Sequence, residues 1–519
     1  MHYNLYYRVS SFPSPASSIF INTDDFTKLP RMQNYLSKPM GITEDVALDT
    51  QGSSNSDWPS SQTCLLLLVF VFLLRYTRVA MTIIGNLKYR QTDVSRSPKF
   101  NASDLTVVIP TTDIMPETFH RVVRSVLAHS VAKLIISTAG PKAEKDEEAF
   151  RFLFSDPRIA LVHRDVASRR EQTAHAMKYV DTPLLILQDD HTYWPNRSSF
   201  LRYVLAPFEE PSTGAVGVGL EARHRQHPFS VSGFWNFLGM TYLVRRHYEY
   251  CGTYGIDRGV STLSGRFGAF RTEIYASKDF LKAYLNERVC FGLVGPLNVD
   301  DDKFHTRWLV EHDWDIKLQA GPETTMTTEL GEWPRFNEQV SRWLRTSVRS
   351  NPRHLVHMKS WTRHPYTTWT LLVWFFRLSL VLEPLMFWLL HGVLETHDQQ
   401  KHFKIAAVAL YAWITVMKFF KIFGHFKKYP TDIMYFPGYI LYGYWCTPVK
   451  IWAMLTWSNA SWATAKAATS STHVLHTGKI DICDVNAGNT ADEIPCTLYS
   501  FDGLGSRVRR RLERSVHKE

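Results

Sequence analysis

Hydrophobic patterning divides the chain into three kinds of segment. Residues 64–84, CLLLLVFVFLLRYTRVAMTII, are apolar over a length that crosses a bilayer as a helix. The run begins too far from Met1 for an ordinary cleaved signal peptide. Between about 100 and 365, short β-branched runs alternate with stretches of helical spacing. LTVVIPTT (105–112), AKLIIST (132–138), RIALVHR and PLLILQDD (183–190) predict strands, and TFHRVVRSVLAHS (118–130), KDEEAFRFLF and RREQTAHAMKYV predict helices. A third region, 367–457, holds three apolar runs rich in Trp and Tyr, as membrane-interface segments are.

Strand–helix alternation at this spacing predicts an α/β domain with a mostly parallel sheet wound by helices. Ligands in such sheets bind at the carboxyl ends of strands. That rim would gather Thr111, Thr112, Asp113, Thr138 and the region of Asp189. Residues 1–60 are rich in Ser, Pro, Asn and Asp without sustained periodicity, and read as disordered. The chain then divides into a transmembrane helix (62–85), the α/β domain (100–365), a membrane domain (366–457) and a C-terminal tail (458–519).

Charge orients these parts. Lys88, Arg90, Arg96 and Lys99 follow the first apolar run, whereas its other flank carries Asp57 and no nearby Lys or Arg. Basic residues at membrane ends stay on the cytosolic side, so the α/β domain is expected in the cytosol. Arg349, Arg353, Lys359 and Arg363 agree. Lys418, Lys421, Lys427 and Lys428 mark the end of the second run of the C-terminal region as cytosolic, making 367–424 a helical hairpin. Pro437, Gly438, Gly443 and Pro448 are expected to interrupt the third run, leaving 432–457 interfacial or re-entrant and the tail cytosolic. Arg377 and Glu383 lie inside an apolar run, where ionisable groups either face a wet path or reach back to the headgroups.

The net charge of +10 and pI near 9.1 suit an anionic partner. The positive charge clusters beside apolar runs, which speaks against nucleic acid. Six cysteines at irregular spacings form no CxxC pair, so neither a disulfide framework nor a structural zinc site is expected.

Four stretches carry candidate chemistry. QDDH ends the fourth predicted strand with Asp189, Asp190 and His191, donors suited to Mn²⁺ or Mg²⁺; a polar loop after a strand would read the same way. TLSGRFGAFRTEIY (262–275) combines Gly265 and Gly268 with Arg266 and Arg271, a combination that meets phosphate or sugar hydroxyls and also reads as a loop into a helix. EQVSRWLRTSVRS (338–350) places Gln339, Arg342 and Trp343 on one helix face, suited to a sugar and a pyrophosphate, and an ordinary amphipathic helix would read the same way. VDDDKFHTRW (299–308) sets Asp300, Asp301 and Asp302 side by side, as a solvated run or as a site that needs a carboxylate.

In their order and spacing these motifs resemble the family 2 glycosyltransferases, in particular the membrane-embedded processive branch with hyaluronan, chitin and cellulose synthases. Fungal synthases of capsule-like or cell-wall polysaccharide are the nearest likeness. The resemblance covers roughly residues 65–466 and implies a GT-A-type domain between membrane helices. It implies a metal-dependent, inverting and processive enzyme that polymerises a UDP-sugar and exports the β-linked chain across the plasma membrane. On this likeness Asp302, before Lys303, is the general base and Asp301 orients it or contacts the acceptor. Asp189 and His191 hold the metal, because His191 replaces the family's second metal-binding Asp. Arg169 and Arg170 in SRREQ contact the nucleotide, with Thr138 standing where the family has an Asp against uracil. Gln339, Arg342 and Trp343 hold the leaving diphosphate and the acceptor end. Trp462 and Thr464 match a gating loop, although Ala463 and Ala465 replace its Gly and Arg. Implied partners are the UDP-sugar, the growing polysaccharide and the bilayer, and a homo-oligomer is compatible with them. A non-processive transferase acting on a membrane lipid and an inactive membrane scaffold remain alternatives.

Overall fold

A computed structural model describes residues 59–225, 229–394 and 400–460. Helix α1 (Ser61–Lys88) starts where the Ser60 hydroxyl accepts the Thr63 amide. The α/β region then runs β1 (Leu105–Thr111), α2 (Glu117–Leu127), β2 (Lys133–Ala139), α3 (Pro141–Leu153), β3 (Ile159–Arg164), α4 (Arg169–Ala176) and β4 (Leu184–Gln188), the alternation the apolar pattern predicts. It continues through β5 (Thr192–Tyr193), α5 (Phe200–Leu205), β6 (Thr213–Val218), β7 (Leu220–Ala222) and the long α6 (Val231–Asp257). Next come β8 (Phe267–Arg271), α7 (Thr272–Ala276), α8 (Lys278–Leu285), α9 (Asp301–Glu311), β9 (Asp315–Gln319), β10 (Met326–Thr328) and α10 (Arg335–Leu355). The C-terminal helices are α11 (Met358–Arg363), α12 (Pro365–Phe376), α13 (Ser379–Val393), α14 (Gln400–Phe420), α15 (Phe423–Lys428) and α16 (Phe436–Leu455).

Seven strands form the main sheet in the order β3-β2-β1-β4-β8-β6-β9. Six run in one direction; β8 lies antiparallel between β4 and β6, so the sheet is mixed. The stretch 262–275, expected as a loop into a helix, contributes this reversed strand. Its short FGAFR run is buried on both sides, and a strand of that length in a sheet centre cannot be told from a loop by periodicity.

Each face of the sheet is covered. Leu105, Val107 and Ile109 pack with Val122 and Val126 of α2 and with Phe200 of α5. Val108 points the other way, into a cluster holding Phe304 and Trp308 of α9. That packing fixes α9 against the sheet, with its N-terminal aspartates at the rim where β1 and β4 end.

Helix α6 is pinned to α1 by glycine contacts. A Cβ on Gly85 would lie 1.9 Å from the Gly252 carbonyl oxygen, and one on Gly255 would lie 1.9 Å from that of Gly85. Only glycine permits this approach.

Among the described residues two helices, α1 and α14, are long and apolar enough to cross a membrane, and α12 with α13 forms a third candidate bent by 81°. The first C-terminal apolar run is therefore two helices and not one. Lys450 of α16 donates to the Trp374 and Phe375 carbonyls at this break, satisfying backbone acceptors that α12 leaves open. The third run behaves in the opposite way to its expected interruption: α16 continues through Gly443 and Pro448 for 20 residues. Pro437 costs little because it sits in the first turn, where its missing N–H has no helical acceptor.

Candidate active site

The three adjacent aspartates have three different surroundings. Asp300 occupies the left-handed region (φ 65°) just before α9. Its carboxylate is buried and takes both arms of Arg349 from α10, at 2.6 and 2.9 Å, plus the Thr346 hydroxyl at 2.6 Å. Asp301 accepts from Arg169 Nε at 2.8 Å. Asp302 makes no ion pair among the described residues; its Oδ1 accepts the Lys303 amide at 2.7 Å. Burial pushes the Asp302 carboxyl up to about 6, the Asp301 charge adds to this, and Arg246 and Lys303 oppose it. The Lys303 ammonium, lowered to about 7 by burial, donates to the Ser261 carbonyl and Asn351 Oδ1, both at 3.1 Å. A proton acceptor tuned towards neutrality and left without an ion pair suits base catalysis.

Arg169 joins α9 to the end of β4. It pairs with Asp189 as well as Asp301, and donates to the Gly265 carbonyl at 2.5 Å. Burial opposes ionisation of Asp189, but Arg169 and His191 outweigh it and hold the carboxyl below its ordinary range. Asp190 turns to β1: Thr111 Oγ1 donates to its Oδ2 at 2.8 Å, and His191 Nδ1 meets its Oδ1 at 3.0 Å. A proton on Nδ1 leaves the Nε2 lone pair free, 3.8 Å from Asp189 Oδ2.

Arg266, after Gly265, lies over the Trp343 ring at 5.3 Å, and Trp343 stacks on Tyr242 of α6 at 5.1 Å. Arg266 Nε is buried without a hydrogen-bond partner among the described residues. Burial lowers the Arg266 pKa, and Arg246 and Arg342 add to that, against the opposing charge of Asp189. A cation in this position invites an anionic ligand. Gln339 accepts the Gly331 amide at 3.3 Å, which ties α10 to the strand-side loop.

The remaining expected site residues divide. Thr112 and Asp113 stay at the rim, with Asp113 paired to Lys142. Thr138 pairs in register with Thr111, but its hydroxyl is engaged by the Val162 carbonyl and His163 Nδ1. Arg170 does not face the site. It is 1 % exposed, pairs with Glu287 at 2.6 Å and donates to the Tyr284 and Val299 carbonyls, because the next residue on a helix points about 100° away from Arg169. Arg271 lies opposite Leu184, at the far end of β4 from Asp189, and binds the Thr213, Phe208 and Glu210 carbonyls. The antiparallel course of β8 carries it there. Trp462 lies outside the described residues.

Tyr242, Arg246 and Tyr250 of α6 also belong to the site, and motif spacing did not reveal them. Arg246 donates to the Tyr250 hydroxyl at 2.8 Å and the Tyr242 hydroxyl at 3.3 Å. All three line, with Asp302 and Trp343, a cavity of about 330 Å³ that continues between α1, α6, α10 and the C-terminal helices. The available signal was an arginine pair among tyrosines, YLVRRHYEY, in an otherwise apolar helix.

Residues 102–346 match the family model described as glycosyltransferase like family 2. A type 2 glycosyltransferase of Gibberella zeae is 33% identical over 430 residues, covering 82% of this chain and 80% of the relative. One from Pyricularia oryzae is 31% identical, covering 84% and 89%. Among solved structures, a mannosyltransferase from Pyrobaculum calidifontis in complex with GDP-Man and Mn²⁺ aligns with a TM-score of 0.42 at 12% identity, over 73% of this chain and 99% of that one. The similarity to these two type 2 glycosyltransferases, with the family model, shows that the chain belongs to the family 2 glycosyltransferases, with the GT-A-like nucleotide-sugar transferase fold that its mixed sheet fits.

Proposed function

We propose that the protein is an inverting, UDP-sugar-dependent transferase of the membrane that elongates a β-linked polysaccharide on its cytosolic side and passes it outward. The observation that carries the reading is Asp302: a carboxylate raised towards neutrality, facing a cavity that leads from the sheet rim into the apolar helices. Its role is to take the proton from the acceptor hydroxyl as that oxygen attacks the anomeric carbon from the side opposite the leaving diphosphate. Asp301, held by Arg169, sets the position of the first turn of α9. Arg266 and Arg169 supply positive charge for the diphosphate, and the Trp343–Tyr242 pair offers a flat apolar face for a sugar ring.

Asp189 and His191 would hold a divalent ion. A carboxylate oxygen and an imidazole nitrogen 3.8 Å apart suit Mn²⁺ over Mg²⁺. Among the described residues no three His, Cys, Asp or Glu side chains converge on one point, so these two would supply part of a shell that the diphosphate completes. The ion would neutralise charge on the departing diphosphate. Accordingly, excess chelator should abolish transfer. His191→Ala should raise the Mn²⁺ concentration needed for half-maximal rate by about 10- to 100-fold, the effect of losing a ligand or its orientation. Full activity in chelator, or an unaltered metal requirement in His191→Ala, would refute the assignment.

The direct test is turnover of a panel of UDP-sugars by purified full-length protein, followed by sizing of the labelled product. Long chains support the polymerising reading. A single transferred sugar supports the second reading, transfer to one discrete acceptor, which the cationic lining of the cavity favours. No release of UDP from any donor would leave the scaffold alternative.

A further inference from the structure

The cavity beyond Asp302 is strongly basic. Nine lysines and arginines line it against two carboxylates, Glu249 and Asp302. Their pairing is incomplete in a consistent way. Arg78 of α1 and Arg377 at the α12–α13 break share the single carboxylate of Glu249, at 2.9 and 3.7 Å. Arg75 and Lys418 share Glu383, the second pair at 3.0 Å. Lys421 has neither hydrogen bond nor ion pair among the described residues, and lies within electrostatic reach of Arg75, Arg78 and Arg377. Arg245 has Tyr439 as its hydrogen-bond partner and no ion pair among the described residues.

This excess sits between α1, α14 and the bent pair, the elements that, among the described residues, are long and apolar enough for a bilayer. Cations at such depth are costly and are kept where they face a wet path or an opposing charge. Packing alone does not require them, since buried ion pairs can be replaced by apolar residues at little cost. A neutral sugar chain would need hydroxyl acceptors and flat rings, not a surplus of guanidinium and ammonium groups. Several cations gathered around one part of the wall fit a compact group carrying more than one negative charge, whereas a carboxylated polymer spreads single charges along its length.

We propose that this cavity binds a phosphate-bearing acceptor, with the phosphoryl group held by Arg377, Lys421 and Arg78 and the reacting hydroxyl directed towards Asp302. The inference rests on the second form of the transferase reading, transfer to one discrete acceptor, and names the chemistry of that acceptor. The phosphate can belong to a membrane lipid headgroup or to a soluble sugar phosphate, and the two are separable.

Detergent-purified full-length protein would be tested for binding of radiolabelled phosphatidic acid in competition with phosphatidylcholine, and separately for binding of glucose 1-phosphate. UDP binding would be measured in the same preparations. Arg377→Gln with Lys421→Gln should lower phosphate-ligand affinity by about 100-fold through loss of two charge-assisted contacts, with UDP affinity unaltered. The charge-keeping pair Arg377→Lys with Lys421→Arg should retain most of the binding, which separates charge from packing. Selective binding of phosphatidic acid assigns the site to a lipid, and selective binding of glucose 1-phosphate assigns it to a soluble acceptor. Absence of selective binding of either, or binding unaltered in the neutralised variant, overturns the proposal. Failure of UDP to bind the wild-type protein would instead refute the transferase reading.

Discussion

Replacing Asp302 with asparagine is expected to abolish sugar transfer while leaving UDP binding intact. The amide keeps the size of the carboxyl but cannot accept a proton. General-base assistance typically contributes about 10² to 10⁴ in rate, and the variant should lose that much. Nucleotide affinity should survive because Arg169, Arg266 and Asp189 are untouched. The wild-type enzyme should also show a matching pH profile. Burial and the Asp301 charge raise the Asp302 carboxyl to about 6, so the protonated, inactive form accumulates below that pH. Transfer should therefore fall about tenfold per pH unit on the acid side of about 6 and level off above it. Initial rates of UDP release across pH, for wild type and Asp302→Asn, measure both effects. A variant that keeps a tenth or more of wild-type turnover would move the base elsewhere, with Asp301 the next candidate.

The second large effect concerns Asp300. Its carboxylate and the Arg349 guanidinium are 3% and 1% exposed and meet in a two-point contact. Breaking such a buried pair by removing one partner costs about 3–5 kcal/mol, because the other charge is left without compensation. Asparagine is the sharp probe, since it tolerates the left-handed backbone conformation of this position and removes only the charge. Arg349 also donates to the Trp457 and Asn459 carbonyls at 2.8 and 3.1 Å, so the same guanidinium ties the start of α9 to the chain leaving α16. Asp300→Asn should lower the thermal midpoint of the purified protein by several degrees, and Asp300→Asn with Arg349→Met should recover part of the loss. A single variant that melts with the wild type would show that the pair carries little of the fold's stability.

Local order was readable along the chain because it follows from local sequence. The β-branched runs at 105–112, 132–138 and 183–190 became β1, β2 and β4, and the helical spacing at 118–130 and 338–350 became α2 and α10. The placement of Asp189 after a strand was legible in the same way, whereas the position of Asp301 and Asp302 in the first turn of a helix emerged only in the structure. What the sequence did not reveal depends on partners distant in the chain. Neighbouring arginines in SRREQ look equivalent, yet Arg169 reaches Asp189 and Asp301 while Arg170 is sealed against Glu287, 117 residues away. FGAFR reads as a loop until β4 and β6 close on it from either side, and its reversed direction then carries Arg271 away from the site. Three adjacent aspartates are chemically identical on paper. Only the tertiary structure gives Asp300 an arginine from α10, gives Asp301 one from α4 and leaves Asp302 without one, and an opposing charge or its absence is what separates a buried anchor from a base.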